Sequence, residues 1–202
     1  MKRSYIIFLT IFIVLLADQV LKVWIKTNMC LGEEFAVIGD WFLIHFTENE
    51  GMAFGMTLGG GYGKLILSVF RIIAVILIGW YLFRLSKTKA NKGLVFSVSL
   101  VFVGALGNIV DSVFYGMLFS QSSFHTVATF LPEGGGYGGI LHGKVVDMFY
   151  FPLIYGFYPD WIPFKGGDPF IFFRPVFNVA DSAITTGVIT LIVFQRSFFK
   201  KP

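Results

Sequence analysis

Long apolar runs alternate along this chain with short stretches of one charge sign. Runs over about residues 5–25, 64–83, 93–115 and 176–194 each approach the roughly 20 residues a helix needs to cross a hydrocarbon core. Asp18 and Lys22 interrupt the first run, but it continues through Val20, Leu21, Val23, Trp24 and Ile25. It therefore reads as an uncleaved spanning helix and not as a signal peptide. Residues 28–63 carry Glu33, Glu34, Asp40, Glu48 and Glu50 with no basic residue, and 40–46 is rich in β-formers. A small surface sheet is expected around 40–55. A second outer loop, 117–175, is rich in aromatic residues, and twelve run from Phe149 through its end to Phe177, side chains of the kind that settle at headgroup level. The expected fold is a membrane protein with an all-α core, one integral membrane domain over 1–202. Four transmembrane helices would carry a small β-rich extracytoplasmic cradle and the long second outer loop.

Composition supports this reading. The chain is 55% hydrophobic and 14% charged, against about 25% charged in average soluble domains. Nine of the sixteen basic residues fall in three patches: Lys2 and Arg3; Arg84, Lys87, Lys89 and Lys92; Arg196, Lys200 and Lys201. No acidic residue lies in them, which is the pattern of cytoplasmic flanks and puts both termini inside. The net charge of +4 is thus a topology signal, and no basic face for nucleic acid is evident. Cys30 is alone, so the chain can build no internal disulfide or cysteine metal site, and it reads as a small residue near a helix end. The cluster Gly59–Gly63 before Lys64 fails the phosphate-loop pattern, because Leu58 and Leu65 stand where glycine and Ser or Thr are needed. This cluster and Gly134–Gly138 read as loop glycines.

The chemistry lies in polar positions inside apolar runs. Asn178 and Asp181 are three apart and share a helical face, and Asn108 and Asp111 repeat the spacing. With a 1.5 Å rise per residue, Asp18 lies roughly 20 Å and Asp111 roughly 27 Å from the inner surface, and Asp181 roughly 8 Å below the outer one. All three acids fall in the outer third of the membrane, where a carboxylate marks a functional site by default. Structural readings compete: Asp18 and Lys22, four apart, can form an ion pair, and Asn108 with Asp111 an interhelical hydrogen-bond clamp. His45, His125 and His142 are scattered, so metal hydrolysis has no ligand set, and Ser112 and Ser182 each follow an Asp directly and face away from it. What remains is a pair of carboxylates sharing one proton, one serving as base for a water and the other as acid. On the residues alone Asp181 pairs with Asp111, since both lie on clear helices, while 144–149 reads as loop. A small proton-coupled transporter or a non-catalytic scaffold would use the same acids. The transporter requires a charged path through the inner halves of the helices, where no acidic residue lies.

Five motifs occur in order: Asp18-x-x-x-Lys22; Asn49-x-Gly51-x-Ala53-Phe54; Gly104-Ala105-x-Gly107-Asn108-x-x-Asp111; Gly143-x-Val145-Val146-Asp147; and Phe177-Asn178-x-Ala180-Asp181-Ser182-Ala183-Ile184. Together they resemble the lipoprotein signal peptidase (signal peptidase II) family of bacterial membrane aspartic peptidases, over most of the chain outside 119–141 and 152–172. The resemblance implies a catalytic dyad of Asp147 and Asp181, with Asn108, Asp111, Asn178, Asn49, Asp18 and Lys22 in support. It also implies a lipid-modified prolipoprotein substrate, cut before its diacylglyceryl cysteine at the outer face of the inner membrane, with no metal or cofactor. Membrane lipids are the surroundings, and no oligomer is implied. Two departures stand out: Ser112 occupies the position where the family usually has Arg, and Asp147 stands thirty-six positions after Asp111, far more than is usual. The inserted stretch must loop out and return if the dyad is to form.

Overall fold

A computed structural model describes residues 2–50 and 61–198. The first helix, α1 (Arg3–Asn28), buries Ile6, Thr10, Asp18, Lys22, Ile25 and Lys26 along one stripe. Phe8, Phe12, Ile13, Leu16 and Val20 are exposed on its other side. Apolar outside and polar inside is the arrangement expected of a helix solvated by lipid. Next come β1 (Glu34–Ile38), β2 (Phe42–Asn49), α2 (Gly61–Lys87) and α3 (Lys92–Val110). Gly61 and Gly63, expected in a loop, instead begin α2; Gly51, Ala53, Phe54, Gly59 and Gly60 lie outside the described residues.

Among the described residues, three helical stretches are long and apolar enough to cross a membrane: Arg3–Asn28, Leu65–Lys87 and Lys92–Leu118. The last long helix, α5 (Val179–Phe198), carries more hydroxyl side chains and packs along α3. Glycine lets the two approach closely. A Cβ on Gly104 would collide with the carbonyl oxygen of Ala180, and one on Gly187 would lie 2.7 Å from that of Ser97. Small residues at such seams let helix backbones touch where lipid offers no hydrophobic drive.

The expected third helix, continuous to about 115, is corrected in one respect: its α-helical bonding stops at Val110. A π turn (Asp111–Tyr115) and a last short helix, α4 (Gly116–Leu118), follow. A π turn shifts the hydrogen-bond ladder and releases carbonyls from it. Here the returning segment meets them: Gly143 N–H donates to Ser112 O at 2.9 Å and Gly138 N–H to Gly116 O at 2.8 Å. That contact requires bare backbone, since a Cβ on Gly136 or Gly143 would strike the carbonyls of Gly116 or Asp111. The second glycine cluster is therefore a packing surface as well as a loop. The excursion leaves α3 and closes back on its final turn.

The segment expected to be loop over 144–149 is a strand, β3 (Val145–Tyr150), and the second outer loop also holds β4 (Ile154–Phe157) and β5 (Pro169–Phe172). The last apolar run, expected to be helical from 176, opens instead on a short strand, β6 (Val176–Phe177), and its helix starts at Val179. The antiparallel sheet runs β1-β2-β3-β6, with Thr47 opposite Asp147, Asn49 opposite Val145, and Phe149 opposite Phe177. Among the described residues, β4 and β5 pair only with each other. Under the sheet, Phe46, Val146 and Met148 join Ile25, Met29, Tyr115 and Phe119 in one buried cluster. This cluster welds the sheet to the ends of α1 and α3. It also explains why β3 escapes a periodicity reading: both faces of Val145–Met148 are buried, so apolar and polar positions do not alternate.

Candidate active site

Asn178 is the residue just before α5 and forms a reciprocal cap with Asp181. The Asp181 N–H donates to Asn178 Oδ1 at 2.9 Å, and the Asn178 N–H donates to Asp181 Oδ2 at 3.4 Å. This is the capping-box arrangement in Asn and Asp, and it explains why the two residues stand three apart. It also sets the Asp181 carboxylate at the positive end of the α5 dipole. Asp18 meets a second free amide of that end, accepting from the Ala180 N–H at 2.9 Å through Oδ1.

Lys22 organises the layer beneath. Its fully buried ammonium has three donors and three partners: Asp18 Oδ2 at 2.9 Å, Asp111 Oδ2 at 2.8 Å and Asn108 Oδ1 at 2.9 Å. The ion pair and the interhelical clamp considered from sequence are thus one network. Because the Asn108 carbonyl faces a cation, its Nδ2 faces outward and donates to Asp181 Oδ1 at 2.7 Å. Asn178 Nδ2 donates to Asp147 Oδ1 at 2.7 Å and lies 3.1 Å from Asn108 Oδ1. Two linked amides therefore each hold one carboxylate, and the pair they hold is Asp147 and Asp181. Asp111, favoured by helix position alone, faces the other way: it accepts from Lys22, from Gln19 at 2.9 Å and from the Val146 N–H at 3.3 Å. It anchors β3 one residue before Asp147. Asn49 reaches Asp147 Oδ2 at 3.4 Å from the neighbouring strand.

Asp147 is 4% exposed. Burial, and after it the charge of Asp181, pushes its carboxyl up to about 7, against the pull of Lys22 and of the Asn178 and Asn49 amides. A carboxyl held there keeps its proton up to near neutrality, as the acid of an acid–base pair must.

Two further residues belong here and were not singled out from sequence. Gln19 donates to Asp18 and Asp111 and accepts from the Tyr115 hydroxyl at 3.2 Å. Its spacing of three from Lys22 was the available signal. Arg71 on α2 lies within electrostatic reach of both Asp181 and Asp147. A guanidinium in the middle of an apolar run was itself a flag. It brings positive charge from another helix to the two acids.

A membrane bundle that gathers two carboxylates beneath a small sheet defines an aspartic-type membrane enzyme. The family profile described as "Signal peptidase (SPase) II" matches residues 10–197. The lipoprotein signal peptidase of Porphyromonas gingivalis is 51% identical over 187 residues, covering 91% of this chain and 79% of that protein. The one from Amoebophilus asiaticus is 37% identical over 188 residues, covering 92% and 75%. A solved bacterial membrane enzyme structure superposes with a TM-score of 0.61 at 27% identity, over 96% of this chain and 91% of that one. The chain belongs to the signal peptidase II family.

Proposed function

We infer that Asp147 and Asp181 are the working pair of a peptidase that removes the signal peptide from lipid-modified prolipoproteins. The cut falls before the diacylglyceryl cysteine. The observation that carries this reading is the amide pair: Asn108 and Asn178, hydrogen-bonded to each other, each present one Nδ2 to one of these two acids. In the mechanism Asp181, ionised and facing amide donors, takes a proton from a water held between the acids. The nascent hydroxide attacks the scissile carbonyl while Asp147 gives its proton to the carbonyl oxygen. The tetrahedral species collapses as its hydroxyl proton returns to Asp147 and Asp181 protonates the leaving amine. Each acid ends as it began.

Topology follows the charges. Arg3 Nε donates to Ala90 O at 2.7 Å, so the start of α1 and the α2–α3 turn share one end. That end also receives Arg84, Lys87 and Lys92. We read it as cytoplasmic, with four spanning helices in one integral unit, both termini inside, and the acids and sheet at the outer face. The sheet cradles the substrate peptide there.

The test is cleavage of a lipidated synthetic signal peptide by purified Asp147→Asn and Asp181→Asn. Each variant is expected to lose at least about 10³-fold in turnover while remaining monodisperse, the order expected when an acid–base group is removed. A loss of less than about tenfold in either variant removes that residue from the chemistry.

A further inference from the structure

Between β3 and β6 the chain makes a hairpin, β4 and β5, that among the described residues joins no strand of the main sheet. Its base is closed, because Tyr150 and Val176 are paired across the gap. Its far end is closed too: the Tyr158 N–H donates to Asp168 O, and the Gly167 N–H to Tyr158 O, both at 2.9 Å. Within the tip, the Gly166 N–H donates to Ile162 O at 2.9 Å, and a Cβ on Gly166 would lie 2.6 Å from Asp160 O. The tip is thus tightly built, yet it presents its largest apolar side chains outward. Trp161 is 80% exposed and Phe164 104%. Phe164 also has φ +65°, a left-handed conformation that favours glycine and is strained for a residue with a Cβ. Stability of the turn alone would select glycine or asparagine there. Phe157, 72% exposed, extends the same apolar surface down β4.

We propose that this tip is a membrane-interface anchor, with Trp161 and Phe164 inserted at the headgroup–acyl boundary of the bilayer that surrounds the bundle. The hairpin is continuous with the membrane face: β6 runs within two residues into α5, and α1 ends at the same sheet with Trp24 47% exposed. Indole and phenyl rings beside a lysine are the composition that settles at this depth, and Lys165 lies over the Tyr158 ring at 5.6 Å. Asp160 and Asp168 balance Lys165 and Arg174 in charge, so the hold is apolar and insensitive to salt. The proposal is independent of the dyad, because its readout is depth and not cleavage.

The test uses the full chain in vesicles of phosphatidylethanolamine and phosphatidylglycerol, with a nitroxide on Trp161→Cys in a Cys30→Ser background. Oxygen is expected to relax the label more than a water-soluble nickel chelate does, with no change at high salt. As a second measurement, Trp161 kept as the sole tryptophan is expected to lose at least about half its emission to lipids brominated high in the acyl chain. A label as accessible to the chelate as free nitroxide in buffer overturns the proposal. So does protection that appears only when lipidated signal peptide is added, which assigns the tip to substrate, and so does spin–spin broadening that grows with protein density, which assigns it to a second copy.

Discussion

Asp147 has its carboxyl held up to about 7 chiefly by burial, and two consequences of opposite kind follow. For turnover, the proposed mechanism has Asp147 donate a proton that is lost as pH rises through about 7, so kcat for the lipidated peptide is expected to fall on the alkaline side. An acidic limb reports protonation of the pair's base, and the two limbs belong to the coupled pair. A profile flat from pH 6 to 9 would remove Asp147 as the acid. For stability, a folded pKa raised from 3.8 to about 7 gives a contribution fully present below about 3.8 and lost as pH rises through about 7. At pH 8 the ionised, buried carboxylate costs up to about 4 kcal/mol, at about 1.4 kcal/mol for each tenfold change in its proton affinity. Asp147→Asn keeps an acceptor for Asn178 Nδ2 and removes that charge. It is expected to unfold at higher temperature than the native chain at pH 8, with the gain vanishing by pH 4. Differential scanning in detergent at the two pH values checks it. Asp181 was legible in the sequence because its cap spacing coincides with a helical face, whereas Asp147 was not. It lies on a strand buried on both faces, and no period marks such a strand, so only the motif match pointed to it.

At the scale of elements, α3 and α5 hold Asn108 and Asp181 at hydrogen-bond distance because nothing larger than hydrogen stands between the helices. At Gly107 a Cβ would lie 2.8 Å from Asp18 Oδ2 and 3.2 Å from Ala180 Cβ. Gly107→Ala must displace the carboxylate that links Lys22 to the first turn of α5. It is expected to destabilise by about 1–3 kcal/mol, as overpacking of a close interface does. It should also reduce kcat more than it changes KM, because what moves is the amide that faces Asp181. Thermal unfolding and steady-state cleavage on one preparation check both, and an unchanged kcat would uncouple the seam from the site. The helices were largely legible, because apolar runs and basic flanks are written in residue identity. The π turn was not: its signal is the backbone of 138–143, thirty residues on, donating to carbonyls the turn releases. The strands of the second outer loop were hidden likewise, since their aromatic content suits the headgroup region as well as a sheet.

At the scale of the molecule, bundle, sheet and excursion meet at one buried cation. Lys26 on α1 is fully buried, pairs with Glu48 on β2, and donates to Ser122 Oγ in the excursion at 2.8 Å. Its ammonium also lies over the rings of Phe119 and Tyr137, at 5.6 and 5.1 Å. Glu48 accepts from Ser122 Oγ at 2.8 Å, has Lys144 Nζ at 3.7 Å, and sits opposite Val146, next to the Asn49 that reaches Asp147. The excursion is thereby fastened to the strand beside the one that carries Asp147. Glu48→Gln strands the Lys26 charge, while Lys144, partly exposed, can turn to water. The expected loss is about 3–5 kcal/mol, the range for removing one partner of a buried pair. Lys26→Met combined with Glu48→Leu removes both charges and is expected to recover most of that loss, since apolar replacements of a buried pair are often neutral. The double variant also separates two roles for the network. If Glu48 serves only to hold the sheet, turnover returns with the melting temperature. If turnover stays low in the refolded double variant, the buried pair also sets the field at Asp147, and the alkaline limb of its pH profile moves with it.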